Sequence, residues 1–369
     1  MKFICQTREF EQAISTVQRA VSRRSPQEAL GGILIESQGD QLKLTGYNTE
    51  TGIETLIDAD IMTEGQTLVQ ARLFGDIVRR LPEESVSVEL GDTGQLKIRS
   101  GNADFTINTM NAADFPALPQ VDGEKSLRLS QGMLKDMIDA TIFGVSTDQS
   151  RPLFQGLLLN SLGKQLDLVA IDGFRLGIQR RHFEDEELAK LKITIPGNAL
   201  RELAAILEDD DDSFVSISTT SNQVLFDLDH TKITARLIAG EFMDYPRVFP
   251  QNYETEIYVA RRPLLEIMDR ALLMTMSHER RFPIQLVMED SANLRVSIKT
   301  EVGAFEDHIP VQANGQLIDL SFNPMYFVDA LKAIDDEIIK IDFSKETGPC
   351  VIRPQEGDAY DYLILPLRR

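Results

Sequence analysis

The chain has 369 residues, 42% of them hydrophobic and 26% charged, and a formal net charge of −20. Its length and ordinary globular composition predict two or three domains, and its acidic balance argues against a tight nucleic-acid or anionic-membrane binder, because phosphate groups are bound by Lys and Arg. No apolar run reaches the roughly 18 residues of a membrane span, and the segment "MKFICQTREF" lacks the apolar region of a signal peptide. Two cysteines, Cys5 and Cys350, do not suggest a disulfide framework and fit a reducing cytoplasm.

The first predicted helix lies in "AISTVQRAV", and the strands "GGILIES" and "LKLTGY" follow it. The N-terminal segment has a positive charge balance, whereas the chain as a whole is acidic. The first 25 residues contain two acidic residues, Glu9 and Glu11, and five basic ones, Lys2, Arg8, Arg19, Arg23 and Arg24. Charge is therefore segregated along the chain, and its local sign is more informative than its sum.

The next predicted helix, in "ARLFGDIVRRLPEE", carries a single apolar stripe. The stripe consists of Leu73, Phe74, Ile77, Val78 and Leu81. The segment follows the short strand "QTLVQ" and precedes the strand pair "SVSVEL" and "QLKIRS". Helical spacing followed by alternation predicts an amphipathic helix and then an antiparallel hairpin.

The same stripe recurs twice, in "PGNALRELAAILEDD" and "FNPMYFVDALKAIDDE", at offsets of 199 − 73 = 126 and 326 − 199 = 127 residues. Asn198 and Asn323 stand where the N-caps of these helices are expected. The two stripes consist of Ala199, Leu200, Leu203, Ala204 and Leu207, and of Tyr326, Phe327, Ala330, Leu331 and Ile334. Each helix again follows a short strand and precedes a pair of strands, so the arrangement is a repeat.

The first half of the pattern also recurs, with helices in "MIDATIFGV" and "IMDRALLMT" before strands such as "GLLLNS" and "IQLVMED". Two proline-bearing segments, "AADFPALPQVDG" and "GEFMDYPRVFPQNY", follow the first and second copies and are expected to be linkers. We therefore predict an α+β protein of three similar tandem domains, residues 1–120, 121–252 and 253–369. Chance likeness among amphipathic segments is the alternative interpretation.

The C-terminal segment "YDYLILPLRR" is nearly continuously apolar. As a strand it has two apolar faces, one with Tyr362, Ile364 and Pro366 and the other with Leu363, Leu365 and Leu367. One face can pack on the helices of the third copy. No later domain of the chain covers the other face, which predicts a peptide-binding groove.

Motifs for catalysis or metal binding are not found in the sequence. The four histidines, His182, His230, His278 and His308, are far apart and lack metal-ligand spacing. The acidic run at 208–212 follows a helix and is expected to be a solvated turn. "AIDGFRL" places Gly173 and Arg175 in a tight turn that suggests recognition rather than catalysis, and no nucleophile–base pair is evident. We expect no enzymatic activity, no metal and no cofactor.

Nine motifs, in order along the whole chain, resemble the bacterial DNA polymerase sliding clamp family, the beta subunit of the replicative polymerase. They are "MKF", "RRSPQEALGGILIE", "ARLFGDIVRRLPE", "IRSGNADFTINTMNAADFPALP", "TDQSRPLFQG", "LVAIDGFRLG", "GEFMDYPRVFP", "FNPMYFVDALKAI" and "YLILPLRR". The resemblance implies a ring-shaped head-to-tail homodimer of clamp-fold domains, with helices on the inner face and antiparallel sheets outside. Such a ring encircles double-stranded DNA without sequence preference, in the cytoplasm at the nucleoid. It tethers the replicative DNA polymerase, and it also binds the clamp loader and other clamp-motif peptides.

The resemblance also implies residues that face DNA: Arg24, Arg72, Arg79, Gln149 and Arg247. Each arginine could instead be an ordinary solvated surface residue. The chain departs from some family members at Gly197 and Asn198, where those members have basic residues. A ring that holds DNA by enclosure needs no tight phosphate contacts, and this reconciles DNA binding with the acidic sum. We expect weak, salt-sensitive contact with DNA.

For partner peptides, the resemblance implies a pocket near the end of the chain. It would consist of Leu153, Phe154, Ile171, Gly173, Phe174, Arg175, Leu176, Met243, Val248, Leu363, Ile364, Leu365, Pro366 and Leu367. Its polar rim would be Arg151, Asn323, Tyr326 and Arg368. Met243 replaces the usual proline of the family, and a flexible thioether can reshape a pocket. Plain core packing is the alternative for each apolar member.

The subunit seam implied by the resemblance pairs Phe105 and Ile107 with Leu273 and Met274 of a second copy. Where family members have basic residues beside this seam, the chain has Leu73, Asn102 and Asp104, whereas Glu301, Glu306 and Asp307 remain acidic. We expect the seam to rely more on apolar contact. Two other classes remain open at this point: an acidic three-domain scaffold that binds peptides without encircling DNA, and a hydrolase with scattered carboxylates.

Overall fold

A computed structural model describes residues 1–22, 25–123, 125–184, 188–275, 282–344 and 347–367. Its six α-helices are α1 (Thr7–Gln18), α2 (Ala71–Val78), α3 (Gln131–Asp139), α4 (Gly197–Ala204), α5 (Arg261–Leu273) and α6 (Pro324–Lys332). None of the helices within these ranges has the length and apolar character needed to cross a membrane.

The strands of the described residues pair antiparallel throughout. They are β1 (Lys2–Gln6), β2 (Gly32–Gln38), β3 (Gln41–Tyr47), β4 (Thr51–Asp58), β5 (Asp60–Thr63), β6 (Gln66–Gln70), β7 (Ser85–Leu90), β8 (Gln95–Ser100), β9 (Ala103–Asn108), β10 (Lys125–Ser130), β11 (Gly156–Ser161), β12 (Gln165–Ile171), β13 (Arg175–His182), β14 (Leu191–Pro196), β15 (Phe214–Thr219), β16 (Gln223–Asp227), β17 (Thr231–Arg236), β18 (Thr255–Ala260), β19 (Ile284–Met288), β20 (Asn293–Lys299), β21 (Ala304–Pro310), β22 (Gln312–Gly315), β23 (Asp319–Phe322), β24 (Ile338–Phe343), β25 (Cys350–Pro354) and β26 (Tyr360–Ile364).

The chain divides into two compact units. Unit 1 contains Met1–Met133 and Ala199–Leu237, and unit 2 contains Leu134–Asn198 and Ile238–Arg369. Each unit thus combines one terminal repeat with half of the central repeat. The reason is sheet formation, because strands of the central repeat extend the sheets of both neighbours.

Unit 1 contains a five-stranded sheet of order β5-β1-β7-β8-β9 and an eight-stranded sheet of order β10-β15-β16-β17-β4-β3-β2-β6. The side chains of Phe3, Phe10 and Phe74 are fully buried and meet edge to face, with ring centroids 5.7 and 5.5 Å apart. These contacts join β1, α1 and α2 around one apolar core, where edge-to-face geometry adds to the benefit of burial.

Unit 2 contains a nine-stranded sheet of order β14-β11-β12-β13-β26-β25-β24-β18-β22 and a four-stranded sheet of order β21-β20-β19-β23. Its larger apolar cluster includes the buried Phe322, Phe327 and Phe343, together with residues of α5 and α6. A smaller cluster includes Leu176, with Leu363 on the neighbouring strand. Cys350 in this unit and Cys5 in unit 1 are both free and buried.

The repeated stripe is confirmed in the second and third copies, where all five predicted positions are buried, although Leu207 and Ile334 lie just beyond the ends of α4 and α6. In the first copy the prediction is wrong for Leu73, which is 50% exposed, and Leu81, beyond the end of α2, is only partly buried. The reason is the way in which α2 meets α1. Gln18 donates its side-chain amide to the Ala71 carbonyl, and a Cβ at Gly75 would collide with Gln18. This contact turns the side of α2 that carries Leu73 away from the core.

Two predictions about helix ends are wrong, and one is confirmed. Asn323 is the N-cap of α6, where its side chain accepts a 3.1 Å hydrogen bond from the Met325 N–H. Asn198, in contrast, is the second residue of α4, which begins at Gly197. The helix expected in "MIDATIFGV" ends early, at Asp139. There the buried Thr141 hydroxyl donates to the Met137 carbonyl (2.7 Å), a bond that competes with helix continuation.

The C-terminal strand differs from the expected groove strand. β26 lies between β13 and β25, and both of its faces are covered. Leu363 is 2% exposed because Phe242 and Tyr245, from the segment before the third repeat, pack in its cluster. The prediction of an uncovered apolar face along Leu363 is therefore wrong. Exposure begins only beyond the strand, at Leu365, which is 37% exposed.

Candidate functional site

The candidate site begins at a tight corner between β12 and β13 in unit 2. The Asp172 carboxylate accepts hydrogen bonds from the N–H groups of Phe174 (2.8 Å) and Arg175 (3.0 Å). Gly173 has a φ of +93°, and a Cβ there would lie 2.9 Å from the Arg151 guanidinium. Glycine is the residue that adopts this conformation without strain. The corner thereby presents the Phe174 ring to solvent, 54% exposed.

Arg175 holds the corner against α6. Its guanidinium forms ion pairs with Asp172 (3.0 Å) and Asp329 (2.5 Å), and the side chain is only 11% exposed. The guanidinium carbon also lies 4.6 Å from the ring centroid of Tyr326 and 5.3 Å from that of Phe143. Since its charge is already neutralised, Arg175 positions the neighbouring surface rather than offering a free cation.

A cleft of about 620 Å³ opens beside this corner. Of the predicted pocket residues it brings together Arg151, Phe174, Arg175, Asn323 and Tyr326. The sequence analysis missed the other lining residues: Val145, Ser146, Thr147, Asp148, Asp172, Leu272, Thr275, Phe282, Pro324 and Met325. Met325 is 46% exposed within α6, and an apolar residue off the buried stripe could have indicated it.

A second group of predicted pocket residues lies in the small apolar cluster of unit 2. Ile171, Leu176 and Leu363 are buried there, and Phe154 and Val248 pack at its edge. Three other predicted residues lie elsewhere: Ile364 is buried in the larger cluster, Leu153 is partly buried near Gly240, and Met243 is 38% exposed. The predicted pocket thus has a buried base, an exposed edge and a separate polar cleft.

The segment that carries Met243 and Val248 is fastened to the nine-stranded sheet by Tyr245. The buried Tyr245 hydroxyl donates to the Asp167 carboxylate (2.5 Å) and accepts from the Asn160 side chain (3.0 Å). Burial raises the pKa of the Tyr245 phenol, and the hydrogen bond to Asp167 raises it further. The hydroxyl therefore stays protonated and remains a hydrogen-bond donor at neutral pH.

A chain of charges continues from this anchor across the sheet. Arg180 lies 3.8 Å from Asp167 and 2.6 Å from Asp361, and Arg353 binds the other oxygen of Asp361 at 2.6 Å. Arg353 also donates to the Tyr253 hydroxyl (3.0 Å). Two tyrosines of the proline-bearing segment, Tyr245 and Tyr253, are thus held on one network, which fixes the segment relative to β26.

The residues after β26 form the exposed edge of the site. The Leu365 N–H donates to the Phe174 carbonyl (2.9 Å), and the Leu367 N–H donates to the Ser321 carbonyl (2.8 Å). Pro366 and Leu367 line another cleft, of about 670 Å³, together with Leu317. These bonds hold the tail in place beside the corner. Arg368, predicted for the polar rim, lies outside the described residues.

The predicted DNA-facing residues are exposed where they are described. In unit 1, Arg72 and Arg79 lie on and at the end of α2, and Arg79 pairs with Asp76 at 2.6 Å. The hydrogen bond from Arg79 lowers the pKa of the Asp76 carboxyl. In unit 2, Gln149 is exposed, and Arg247 pairs with Asp244 at 2.7 Å. Arg24 lies outside the described residues.

The predicted seam residues occupy two exposed apolar surfaces. Phe105 (36% exposed) and Ile107 lie on β9, an edge strand of the five-stranded sheet. In unit 2, Leu273 ends α5 and is 65% exposed, and Met274 follows it. Val302, 60% exposed, belongs to the turn after β20 and was not predicted. An edge strand with apolar side chains is a surface on which another strand can pair.

Comparison with known proteins decides the family. Sequence models of the N-terminal, central and C-terminal domains of the DNA polymerase III beta subunit match residues 1–119, 128–244 and 246–368. The chain belongs to the DNA polymerase III beta subunit family. It consists of three tandem clamp domains built from helices and antiparallel sheets. This family membership confirms the resemblance found in the sequence.

Relatives in this family match over the whole chain. The beta sliding clamp of Bacillus subtilis is 32% identical over 378 residues, with 100% of both chains covered. The chain is 30% identical to the beta sliding clamp of Staphylococcus aureus, covering 100% of this chain and 99% of that protein. These proteins are similar to the chain in length as well as in sequence.

Solved structures of beta subunits have the same fold. The crystal structure of a beta subunit from Eubacterium rectale has a TM-score of 0.95 at 31% identity, with both chains covered completely. The sliding clamp from Bacillus subtilis also has a TM-score of 0.95 at 31% identity, and the alignment covers 100% of this chain and 99% of that one. A sliding clamp from Pseudomonas aeruginosa bound to griselimycin has a TM-score of 0.93 at 25% identity, with 100% of both chains covered.

Proposed function

We propose that the chain is a DNA sliding clamp, a processivity factor that encircles double-stranded DNA as a head-to-tail homodimer and tethers the replicative DNA polymerase. The observation that carries this proposal is the match of all three beta-subunit domain models, in order, along the chain. A protein with this role acts at the nucleoid, in the cytoplasm. It contributes no catalytic step, and its domains follow the boundaries 1–120, 121–252 and 253–369.

Partner proteins would bind unit 2 at the surface formed by Phe174, Leu365 and the cleft beside Arg175. The exposed apolar edge and polar cleft suit an extended peptide with a leucine or phenylalanine anchor and flanking polar contacts. The buried members of the predicted set, Ile171, Leu176 and Leu363, would support the surface from below. The polymerase, the clamp loader and other clamp-motif peptides would use this one surface in turn.

DNA would be held by enclosure rather than by a tight grip. The net charge of −20 disfavours strong phosphate binding. Arg72, Arg79 and Arg247 are exposed. Arg79 and Arg247 already form ion pairs with Asp76 and Asp244. A clamp that slides needs contacts weak enough to break at each step. The seam would join Phe105 and Ile107 to Leu273 and Met274 of a second copy.

Two measurements test this function. A fluorescent peptide with leucine and phenylalanine anchors should bind the wild-type chain, and Leu365→Ala and Phe174→Ala should each weaken binding at least about tenfold. Leu162→Ala, at a leucine with 53% exposure outside the candidate site, is the matched control and should bind as the wild type does. Equal binding by all four proteins would place the peptide elsewhere.

The second measurement tests enclosure. Sedimentation should detect a dimer, and the loaded protein should stay on nicked circular DNA but leave DNA that has been linearised. Arg79→Gln should reduce the dependence of loading on salt, whereas Arg99→Gln, on β8 of the five-stranded sheet, should not. A persistent monomer that still captures the peptide would instead favour a peptide-binding scaffold.

A further inference from the structure

Unit 1 contains a corner with the same geometry as the Phe174 corner of unit 2. The Asn48 side chain accepts hydrogen bonds from the N–H groups of Glu50 (3.0 Å) and Thr51 (2.8 Å), as Asp172 does in unit 2. Thr49 has a φ of +75°, at the position equivalent to Gly173. A non-glycine residue is rarely found in this conformation, so the match is specific.

The strand that borders this corner is also equivalent. The Arg236 N–H donates to the Glu50 carbonyl at 2.9 Å, and this bond corresponds to the 2.9 Å bond from Leu365 to Phe174. In unit 2 the same edge walls the candidate peptide site. The first repeat therefore contains the backbone of a second site of the same kind.

The proline-bearing segment of unit 1 fills the position where a peptide would anchor. Phe115 and Leu118 have the same spacing, and the same intervening proline, as Tyr245 and Val248. Leu118 packs over Gly52, where a Cβ would lie 2.6 Å from the leucine Cδ2. The residue equivalent to Gly52 in unit 2 is the buried Leu176. In unit 1 the strand position is Gly52, which has no side chain, whereas the segment position is Leu118, which is longer than the Val248 of unit 2.

The segment that carries Leu118 is held less firmly than its equivalent in unit 2. Phe115 lacks the hydroxyl with which Tyr245 binds the sheet. A cleft of about 640 Å³ lies between the 112–122 segment and one face of the eight-stranded sheet. One of its floor residues, Thr45, is 2% exposed, and its hydroxyl has no hydrogen-bond partner among the described residues. Withdrawal of Leu118 therefore does not require breaking a bond equivalent to that between Tyr245 and Asp167.

We propose that unit 1 contains a second docking site for extended peptides with a large apolar anchor, and that Leu118 occupies its anchor position. This proposal rests on the proposed function, because the ligand class is taken from the site in unit 2. The wild-type chain would bind one such peptide, in unit 2. Displacement of the 112–122 segment would uncover the second site, so the linker acts as a built-in competitor.

The test counts peptides bound per chain by isothermal titration calorimetry with the leucine–phenylalanine peptide. The wild type should bind one peptide, Leu118→Ala should bind two, and the matched control Leu162→Ala should bind one. Thermal unfolding of each variant checks its fold. A photo-reactive group on the anchor should crosslink Leu118→Ala near Thr49 and Gly52 as well as near Phe174.

The outcomes separate this proposal from the proposed function. If the wild type binds no peptide, the function proposed for unit 2 fails, whatever the variant does. If the wild type binds one peptide and folded Leu118→Ala also binds only one, the second site is refuted. If Leu118→Ala folds poorly, Gly52→Ala provides an independent test of the anchor position. Its added methyl group should displace Leu118 and speed proteolysis within the 112–122 segment, and unchanged proteolysis would refute the anchor position.

Discussion

Replacement of Tyr245 by phenylalanine tests the anchor that positions the candidate peptide site. The change removes one hydroxyl group, which is buried and joins the proline-bearing segment to Asp167 and Asn160. The ring stays in place, so apolar packing against Leu363 is preserved. The substitution therefore isolates the polar part of the anchor.

The expected cost follows from the groups left behind. Asp167 is 2% exposed and keeps a bond from Gln165 (2.7 Å), but it loses its 2.5 Å bond from Tyr245. A hydrogen bond to a charged group contributes about 1.5–3 kcal/mol, and an unsatisfied buried donor, here Asn160, costs at least about 1 kcal/mol. We expect the free energy of unfolding of unit 2 to fall by about 2–4 kcal/mol.

Urea denaturation followed by circular dichroism measures this loss, and hydrogen exchange should show faster opening at 240–250. Peptide affinity should fall as well, because Val248 belongs to the same segment. In an Asp167→Asn background, where the bond from Tyr245 is to a neutral acceptor, the cost of Tyr245→Phe should shrink by about 1–1.5 kcal/mol. The control is Tyr47→Phe, whose hydroxyl makes one 3.3 Å bond near the surface, and it should cost less than about 0.5 kcal/mol. A cost that is equally large in both backgrounds would refute the reasoning.

Four further predictions each concern a single residue. Thr49→Gly should stabilise unit 1 by about 0.5–1 kcal/mol by relieving its positive φ, and Gly173→Ala should destabilise unit 2 by at least about 1 kcal/mol, both measured by urea denaturation. Burial raises the pKa of the Cys5 thiol to about 12, so this cysteine should not react with a thiol reagent at pH 8 until the protein is unfolded; rapid labelling of the folded chain would contradict this. The hydrogen bond from Arg270 lowers the pKa of Asp307, so its stabilising effect is present above the usual carboxyl pKa and disappears as the pH falls through the lowered value. Because the pair is more than a third exposed, Asp307→Asn should cost less than about 1 kcal/mol at pH 7 and nothing at pH 2, and an equal cost at both pH values would contradict the assignment.

Much of the local architecture was predictable because it depends on short-range periodicity. The stripes of α4 and α6, the N-cap at Asn323 and the tight turn at Gly173 each follow from residues a few positions apart. The largest stripe error, Leu73, depends on how α2 meets Gln18 of another helix. That contact is long-range, and no spacing within α2 reports it.

The candidate site was predictable only in part, for the same reason. Alternation in "YDYLILPLRR" correctly predicts a strand with two apolar faces, but it carries no information on what covers them. Leu363 is buried because Phe242 and Tyr245 fold over it, whereas Leu365 is exposed because it follows the last pairing of β26. Leu272 and Phe282 line the polar cleft through tertiary contact alone.

The order of residues along the chain was sufficient to establish the tandem repeat, its helices and the family to which it belongs, since all three are encoded in local spacing and in motifs. Tertiary packing decided which copies of a shared corner are open. Both corners have the same backbone hydrogen bonds. In unit 1, Leu118 packs over Gly52 and fills the corner. In unit 2, where Leu176 and Val248 take these positions, the corner remains open beside Phe174 and Leu365. A side chain's availability depends on the volume that distant residues occupy around it, and such volumes are defined only once the chain has folded.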